Sequence, residues 1–113
     1  MPTFNKLLKK ISNNTFKEKI LVLSGREIND DMAIKLVAAL KENHYIEELD
    51  ISNNKITFVG AKELANTKLK KLTIANNPIG DEGAKQFSTS EDLLELEAQN
   101  CNIADVGASL LFT

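Results

Sequence analysis

The sequence contains one motif four times, and this repetition limits the possible folds more than any other feature. The clearest copy is IEELDISNNKI at residues 46–56, where apolar and polar residues alternate before an asparagine and a final isoleucine. Its apolar positions recur in later copies and, less regularly, in an earlier one. The starts near 18, 46, 69 and 93 give spacings of 28, 23 and 24 residues. Such a period predicts stacked units, because each unit buries its apolar edge only against a neighbour.

Each copy has two halves that differ in periodicity. In the first half apolar residues alternate with polar ones, as in Leu49-Asp50-Ile51, which predicts a short strand with one buried face. The second half has helical spacing, clearest in the first copy, where the apolar stripe is Met32, Ala33, Leu36, Val37 and Leu40. The sequence therefore predicts a strand followed by a helix in every unit.

Short polar side chains mark the expected helix starts. Three are acids placed to accept backbone N–H bonds, and the fourth is a threonine in the second copy: Asp30, Asp81, Asp105 and Thr57. Residues 1–17 have Thr3 as a predicted N-cap and carry a one-sided helical stripe of Phe4, Leu7, Leu8 and Ile11. The pair Asn13-Asn14 is expected to end this helix. The segment should therefore close the N-terminal end of the stack.

A turn follows each strand, and its backbone groups point inward, where they need partners. An asparagine there supplies donors and an acceptor, so stacked copies are expected to form a ladder along the solenoid. Asn54 and Asn77 fill this position, and Cys101 is a small, mainly apolar replacement with a weak donor. Arg26 occupies it in the first copy and cannot be buried without a partner. The first copy should therefore differ locally.

The pattern Leu-x-x-Leu-x-Leu-x-x-Asn/Cys-x-Ile/Leu resembles the leucine-rich repeat signature. The segment NPIGDEGAK at residues 77–85 resembles the ribonuclease-inhibitor-like subclass. The resemblance implies an α/β right-handed solenoid, a horseshoe segment with a parallel sheet on its concave face and helices on its convex face. It also implies binding without naming a ligand, since related repeats occur in tropomodulin-like proteins, innate immune sensors and bacterial effectors. We expect one continuous domain, with a helical cap at 1–17 and four repeats over 18–113.

Strand residues that alternate with the buried ones should form rows across the concave sheet. Two interpretations stand open: the rows are solvated charge ladders that hold the strand register, or they are a polar docking face for a protein. The residues proposed for partner contact are Glu48, Asp50, Lys71, Thr73, Glu95 and Glu97, followed by Ile20 and Val22. The last two are apolar and face outward, so they are either covered by the N-terminal cap or form a small hydrophobic contact.

The residues needed for catalysis or for a metal centre are scarce. There is one His and one Cys, whereas a metal site usually needs four ligands and an enzyme needs a nucleophile with an oriented base. We interpret His44, near the end of the first full helix, and Cys101, in the interior ladder, as structural. The sheet carboxylates lie in the open without an apolar pocket to raise a pKa. We therefore predict no enzyme activity, no catalytic residues, no cofactor and no metal.

Charge and hydropathy exclude further classes of partner. The 14 basic and 16 acidic residues give a formal net charge of -2, which disfavours binding to nucleic acid or to an anionic membrane. No apolar run approaches the roughly 20 residues of a membrane helix, and the N-terminus does not resemble a secretory signal. We expect a cytoplasmic protein, and secretion into a host by a non-classical route stays open.

The C-terminal end and the biological setting leave alternatives. The sequence stops at LLFT, residues 110–113, without the polar closing unit that terminal repeats need. Either this end is covered by self-association or the natural chain continues. Self-association would make the protein a homo-oligomer, and a structural role in assembly is therefore the alternative function. Thirteen of the 14 basic residues are lysine, which suggests an AT-rich genome and the hypothesis of a bacterial effector acting on a host protein.

Overall fold

A computed structural model describes residues 2–102 of the chain. Helices and strands alternate along it: α1 (Pro2–Ser12), β1 (Ile20–Val22), α2 (Asp30–Lys41), β2 (Glu48–Asp50), α3 (Phe58–Leu64), β3 (Lys71–Thr73), α4 (Gly80–Phe87) and β4 (Glu95–Glu97). The predicted helix of the fourth repeat, with its Asp105 start, and the LLFT end lie outside the described residues. The predicted alternation of strand and helix is confirmed over the described part.

The four strands form one open, parallel sheet in the order β1-β2-β3-β4. The register aligns the middle residue of every strand, so one row crosses the sheet with its side chains toward the helices: Leu21, Leu49, Leu72 and Leu96. The first three are nearly inaccessible, whereas Leu96 is half-buried. The fold is therefore the predicted α/β solenoid, with the helices in a layer on one face of the sheet.

The core lies between the sheet and this helix layer. Helices α1, α2, α3 and α4 pack against one another in chain order, as neighbouring strands do. The apolar stripe predicted on α2 is confirmed, since Ala33, Leu36, Val37 and Leu40 are buried. Each fully buried Leu or Ile contributes about 1.5–3 kcal/mol. Stacking of consecutive units, which removes these residues from water, is the main source of stability.

The asparagine ladder is confirmed. The Asn77 side chain is completely inaccessible, and its Nδ2 donates to the backbone oxygens of Ile51, Ile74 and Ala75 at 3.0–3.2 Å. Its Oδ1 accepts from Ile56 N at 3.1 Å. The amide thus joins the turn of its own repeat to that of the preceding one.

The same position is filled differently at either end of the ladder. Asn54 repeats the pattern of Asn77, and its Oδ1 accepts from the backbone N–H groups of Arg26 and Ile28. The Arg26 side chain is exposed, so the first copy does differ locally as predicted. The Cys101 thiol is buried and donates to Ile74 O (3.2 Å) and Gln99 O (3.4 Å). Cys101 is thus a weaker member of the ladder.

Helix α1 covers the N-terminal end of the stack through the predicted stripe. Ile11 is fully buried, and the other stripe residues and Phe16 pack against the core. The residue that fastens this cap is Asn43, which no repeat or capping pattern in the sequence singles out. The Asn43 Nδ2 donates to Ile11 O (3.1 Å) and Phe16 O (3.0 Å), while its Oδ1 accepts from the N–H groups of residues 45 and 46. One side chain therefore ties the cap to the start of the second repeat.

The capping residues differ from the predicted ones at three helices, although α2 does begin at Asp30 as predicted. Thr3 is not an N-cap, because α1 begins at Pro2. Helix α2 is capped by Asn29, whose side chain accepts from Met32 N at 3.0 Å, and not by Asp30. Helix α4 begins at Gly80, so Asp81 lies within its first turn. Gly80 has a φ of 65°, a left-handed conformation that glycine adopts without steric cost, and this turn places the helix start one residue earlier.

The Asp30 carboxylate does accept backbone N–H bonds, but from the following repeat. Its Oδ1 accepts from Thr57 N (2.8 Å) and Gly60 N (3.0 Å), and its Oδ2 accepts from the Thr57 hydroxyl. Thr57 is the N-cap of α3, as predicted, and accepts from Val59 N at 3.3 Å. Asp30 therefore links the starts of α2 and α3.

Candidate functional site: the concave face of the sheet

Two rows of side chains project from the face of the sheet opposite the helices. The strand register aligns them in the predicted order, Ile20, Glu48, Lys71, Glu95 in one row and Val22, Asp50, Thr73, Glu97 in the other. On every strand these residues alternate with the leucine that faces the core, because successive side chains of a strand point to opposite faces. The structure thus places all eight predicted contact residues on one surface, called the concave face below.

The concave face carries more negative than positive charge. Its two rows contain four carboxylates and one ammonium group, on Lys71. The Lys71 Nζ lies 3.8 Å from Glu95 Oε2 across neighbouring strands. The Asp50 Oδ1 accepts from Ser52 N (3.0 Å) and from the Ser52 hydroxyl (2.7 Å), which ties that carboxylate to the segment that follows β2. Glu48 and Glu97 form no ion pair within residues 2–102.

A third row of side chains lies next to the two rows of the concave face, just before the strands begin, and it contains Glu47 and Lys70. Here Lys70 Nζ lies 2.7 Å from Glu47 Oε1. The hydrogen bond and charge of Lys70 lower the pKa of the Glu47 carboxyl, and the same contact raises the pKa of the Lys70 ammonium. Both groups therefore stay ionised at neutral pH. This pair has the geometry expected of a charge ladder between strands, so that interpretation holds for this row.

The first strand ends the concave face with an apolar surface. Ile20 is 51% exposed and Val22 is 54% exposed. The N-terminal cap therefore does not cover these two side chains, and a small hydrophobic contact at this place stays a prediction. Exposed β-branched residues side by side at the edge of a sheet are uncommon on a solvated surface.

The chemically reactive residues lie elsewhere. His44 lies three residues after the end of α2, so it is not at the helix terminus itself, and its backbone N–H donates to Asn14 Oδ1 at 2.9 Å. Burial raises the pKa of the Cys101 thiol, which lowers its reactivity. Within residues 2–102 no three His, Cys, Asp or Glu side chains are grouped to hold a metal ion. No helix in that range has the length and apolarity to cross a bilayer.

Comparison with known proteins supports the repeat architecture. Residues 42–65 and 65–88 each match a family model described as a leucine-rich repeat. No curated protein sequence matches the chain. Among the solved structures, "Leiomodin-1 Actin-Binding Site 2 (ABS2)" superposes with a TM-score of 0.64 at 19% sequence identity. The match covers 96% of this chain and 87% of that one. The chain is therefore an open α/β solenoid that matches leucine-rich repeats over residues 42–88, and the ribonuclease-inhibitor-like subclass stays a prediction.

Proposed function

We propose that this chain is a non-catalytic protein-interaction module that docks a partner on its concave face. The observation that carries the proposal is the alignment of four carboxylates in two parallel rows, ending at the exposed side chains of Ile20 and Val22. A solvated charge ladder needs alternating signs. The row of Glu48, Lys71 and Glu95 meets this requirement, whereas the row that contains Asp50 and Glu97 holds no positive residue. The excess of carboxylates favours a partner with a basic surface and one apolar side chain over the first strand.

The size of the face indicates how the partner must bind. Four strands of three residues span about 14 by 10 Å, from strand spacings of ~4.8 Å and rises of ~3.3 Å. A standard interface takes roughly 800 Å² from each partner. The partner must therefore also contact the borders of the sheet. Turn residues such as Asn53 and Asn76, which are exposed, lie beside the rows at the ends of the strands.

The arrangement of the acids supports binding and not catalysis. Glu95 and Glu97 are exposed, and Glu48 and Asp50 are half-exposed. Acid–base catalysis by carboxylates usually depends on an apolar enclosure that pushes two pKa values apart. On the concave face all four groups look onto solvent, an environment that suits recognition of charge. No cofactor is part of the proposal.

A charge-reversal experiment tests the proposal. The full chain is used as bait in lysates, followed by mass spectrometry, and each captured protein is then purified and titrated by calorimetry. The double variant Glu48→Lys/Glu97→Lys is expected to weaken a concave-face partner at least about tenfold, since charges that face a complementary partner control both steering and affinity. Neither side chain forms an ion pair within residues 2–102, so folding should be retained, which circular dichroism checks.

The matched control reverses two exposed acids on the helices, Asp31→Lys/Glu82→Lys, with the same change in net charge. A concave-face partner should bind this control as tightly as the original chain. If every captured protein is lost with the helix variant and kept with the concave variant, docking on the sheet is refuted. The bacterial effector hypothesis would require that the captured protein come from a host lysate.

Self-association is the second candidate function, favoured by the last described strand. Leu94 is 76% exposed, and Leu96 is less buried than the equivalent leucines of the other strands. Sedimentation velocity on the unmodified chain is expected to show a dimer if this end pairs with a second copy, and Leu94→Lys should return it to the monomer. A monomer at all concentrations in both samples would leave only the concave-face proposal.

A further inference from the structure

A cavity of about 370 Å³ lies between the second and third units, at the edge where strands begin. The ends of α2 and α3 form its walls, together with the segments that lead into β2 and β3. Its apolar lining comes from Leu40, Ile46 and Leu69. Ile46 and Leu69 pack against the core and directly precede Glu47 and Lys70 of the third row. The cavity, called the edge cavity below, therefore lies at the border of the concave face. Its volume is at the lower end of the range for ligand pockets, about 300–1,000 Å³.

The ionisable residues of the edge cavity are two lysines and one histidine, Lys41, Lys68 and His44, and no acid is among its described lining residues. None of the three is paired with an acid within residues 2–102. The lysines of the neighbouring sheet differ in this respect, since Lys70 in the third row and Lys71 on the concave face each lie near a glutamate. The edge cavity is therefore a place where positive charge is available to a ligand.

The neutral polar residues of the edge cavity are already bonded to the protein. Asn43 holds the N-terminal cap through its whole amide, as described above. Asn66 Nδ2 donates to Lys62 O (3.2 Å), and the Thr67 hydroxyl donates to Leu64 O (2.9 Å). These bonds make the wall rigid and leave the basic side chains as the groups that can meet a ligand.

The surroundings favour a carboxylate on an apolar carrier over a small inorganic anion. Helix C-termini carry a partial negative charge, which opposes a multiply charged anion such as phosphate more strongly than a single carboxylate. The side chains of the three apolar residues have no hydrogen-bond donor for such an ion. A Glu or Asp side chain with an apolar neighbour could place its carboxylate near the ammonium groups at the rim and its apolar part on Ile46 and Leu69.

We infer that the edge cavity receives an acidic side chain and an adjacent apolar side chain from the protein that docks on the concave face. The inference rests on the proposed function for the statement that the ligand is a protein. It also supplies the border contact that the small area of the concave face requires. The docked partner would then place basic groups on the concave face and an acidic segment in the edge cavity.

The probe for this inference is the capped peptide acetyl-Leu-Glu-Leu-Glu-amide, titrated into the ¹⁵N-labelled full chain and followed by NMR. We expect chemical-shift changes concentrated at residues 40–46 and 66–69. The matched peptide acetyl-Leu-Gln-Leu-Gln-amide should bind about tenfold more weakly, because it lacks the carboxylates. The variant Lys41→Gln/Lys68→Gln should bind the two peptides with equal affinity.

The control variant Lys35→Gln/Lys62→Gln removes two exposed lysines from α2 and α3 that do not line the edge cavity, and it should bind the acidic peptide as the original chain does. The inference is overturned if the acidic peptide shifts no amide of the edge cavity, if both peptides bind equally, or if inorganic phosphate gives the same shifts at equal concentration. Peptide binding without any concave-face partner would contradict the proposed function alone. A confirmed concave-face partner without peptide binding would contradict this inference alone.

Discussion

Replacing Asn77 with alanine is expected to lower the free energy of unfolding by about 4 kcal/mol. The buried Ile56 N–H left unpaired costs roughly 1–3 kcal/mol, and each of the two amide N–H groups removed takes with it hydrogen bonding worth about 1 kcal/mol. The three backbone oxygens that lose Asn77 each keep a second donor, namely Asn54 Nδ2, Cys101 Sγ and Asn53 N. The substitution removes the donor shared by three backbone oxygens and the acceptor of Ile56 N. Asn77 is 0% exposed, so water reaches these groups only through local opening. Since domains of this size have about 5–15 kcal/mol of stability, the variant should lie close to unfolding.

Urea denaturation followed by circular dichroism measures this effect, with Asn5→Ala as the control on an exposed asparagine of α1. The control should change stability by less than about 0.5 kcal/mol. If the alanine variant does not fold, Asn77→Cys keeps the prediction testable. Its thiol should restore part of the lost stability, since Cys101 bonds two carbonyl oxygens from the equivalent position. An Asn77→Ala variant that loses under 1 kcal/mol would show that the ladder does not stabilise the stack.

Replacing Asp30 with alanine should lower the free energy of unfolding by about 2 kcal/mol, since hydrogen bonds to charged groups contribute roughly 1.5–3 kcal/mol. Two backbone N–H groups and the Thr57 hydroxyl lose their acceptor. The effect should be smaller than that of Asn77 because Asp30 is only half-buried and water can replace part of the carboxylate. Asp31→Ala, the exposed acid next in the chain, is the matched control.

A double-mutant cycle separates this link from the general effect of losing a charge. Combining Asp30→Ala with Thr57→Val should give a coupling energy of about 1 kcal/mol, a typical value for two side chains in direct contact. The measurement is again the urea midpoint with an unchanged slope. Additive effects of the two substitutions would contradict a direct bond between α2 and α3.

The periodic part of the fold could be predicted from the sequence. The row of Leu21, Leu49 and Leu72 follows from a repeat that places one leucine at the same point of every strand. The eight contact residues share a face for the same reason. A strand has a period of two, so identifying the buried residue also identifies its exposed neighbours.

Contacts between repeats through helix ends could not be predicted. Sequence rules for caps consider bonds to residues two or three positions ahead, whereas Asp30 bonds to residues 27 and 30 positions away. The glycine at position 60 was a weak signal of this contact, because a Cβ there would lie 2.7 Å from Asp30 Oδ1. The role of Asn43 in holding the cap was missed for the same reason.

The repeated spacing of leucine, isoleucine and asparagine by itself specified the solenoid, its strand register and the outward rows, because these features depend on which residues must leave water within each unit. The exposure of Ile20 and Val22, the link from Asp30 to the next helix and the edge cavity were decided only when the units packed together. Those features depend on how far neighbouring helices and loops are offset. That offset arises only when the units pack against one another, so it cannot be read from the sequence of a single repeat.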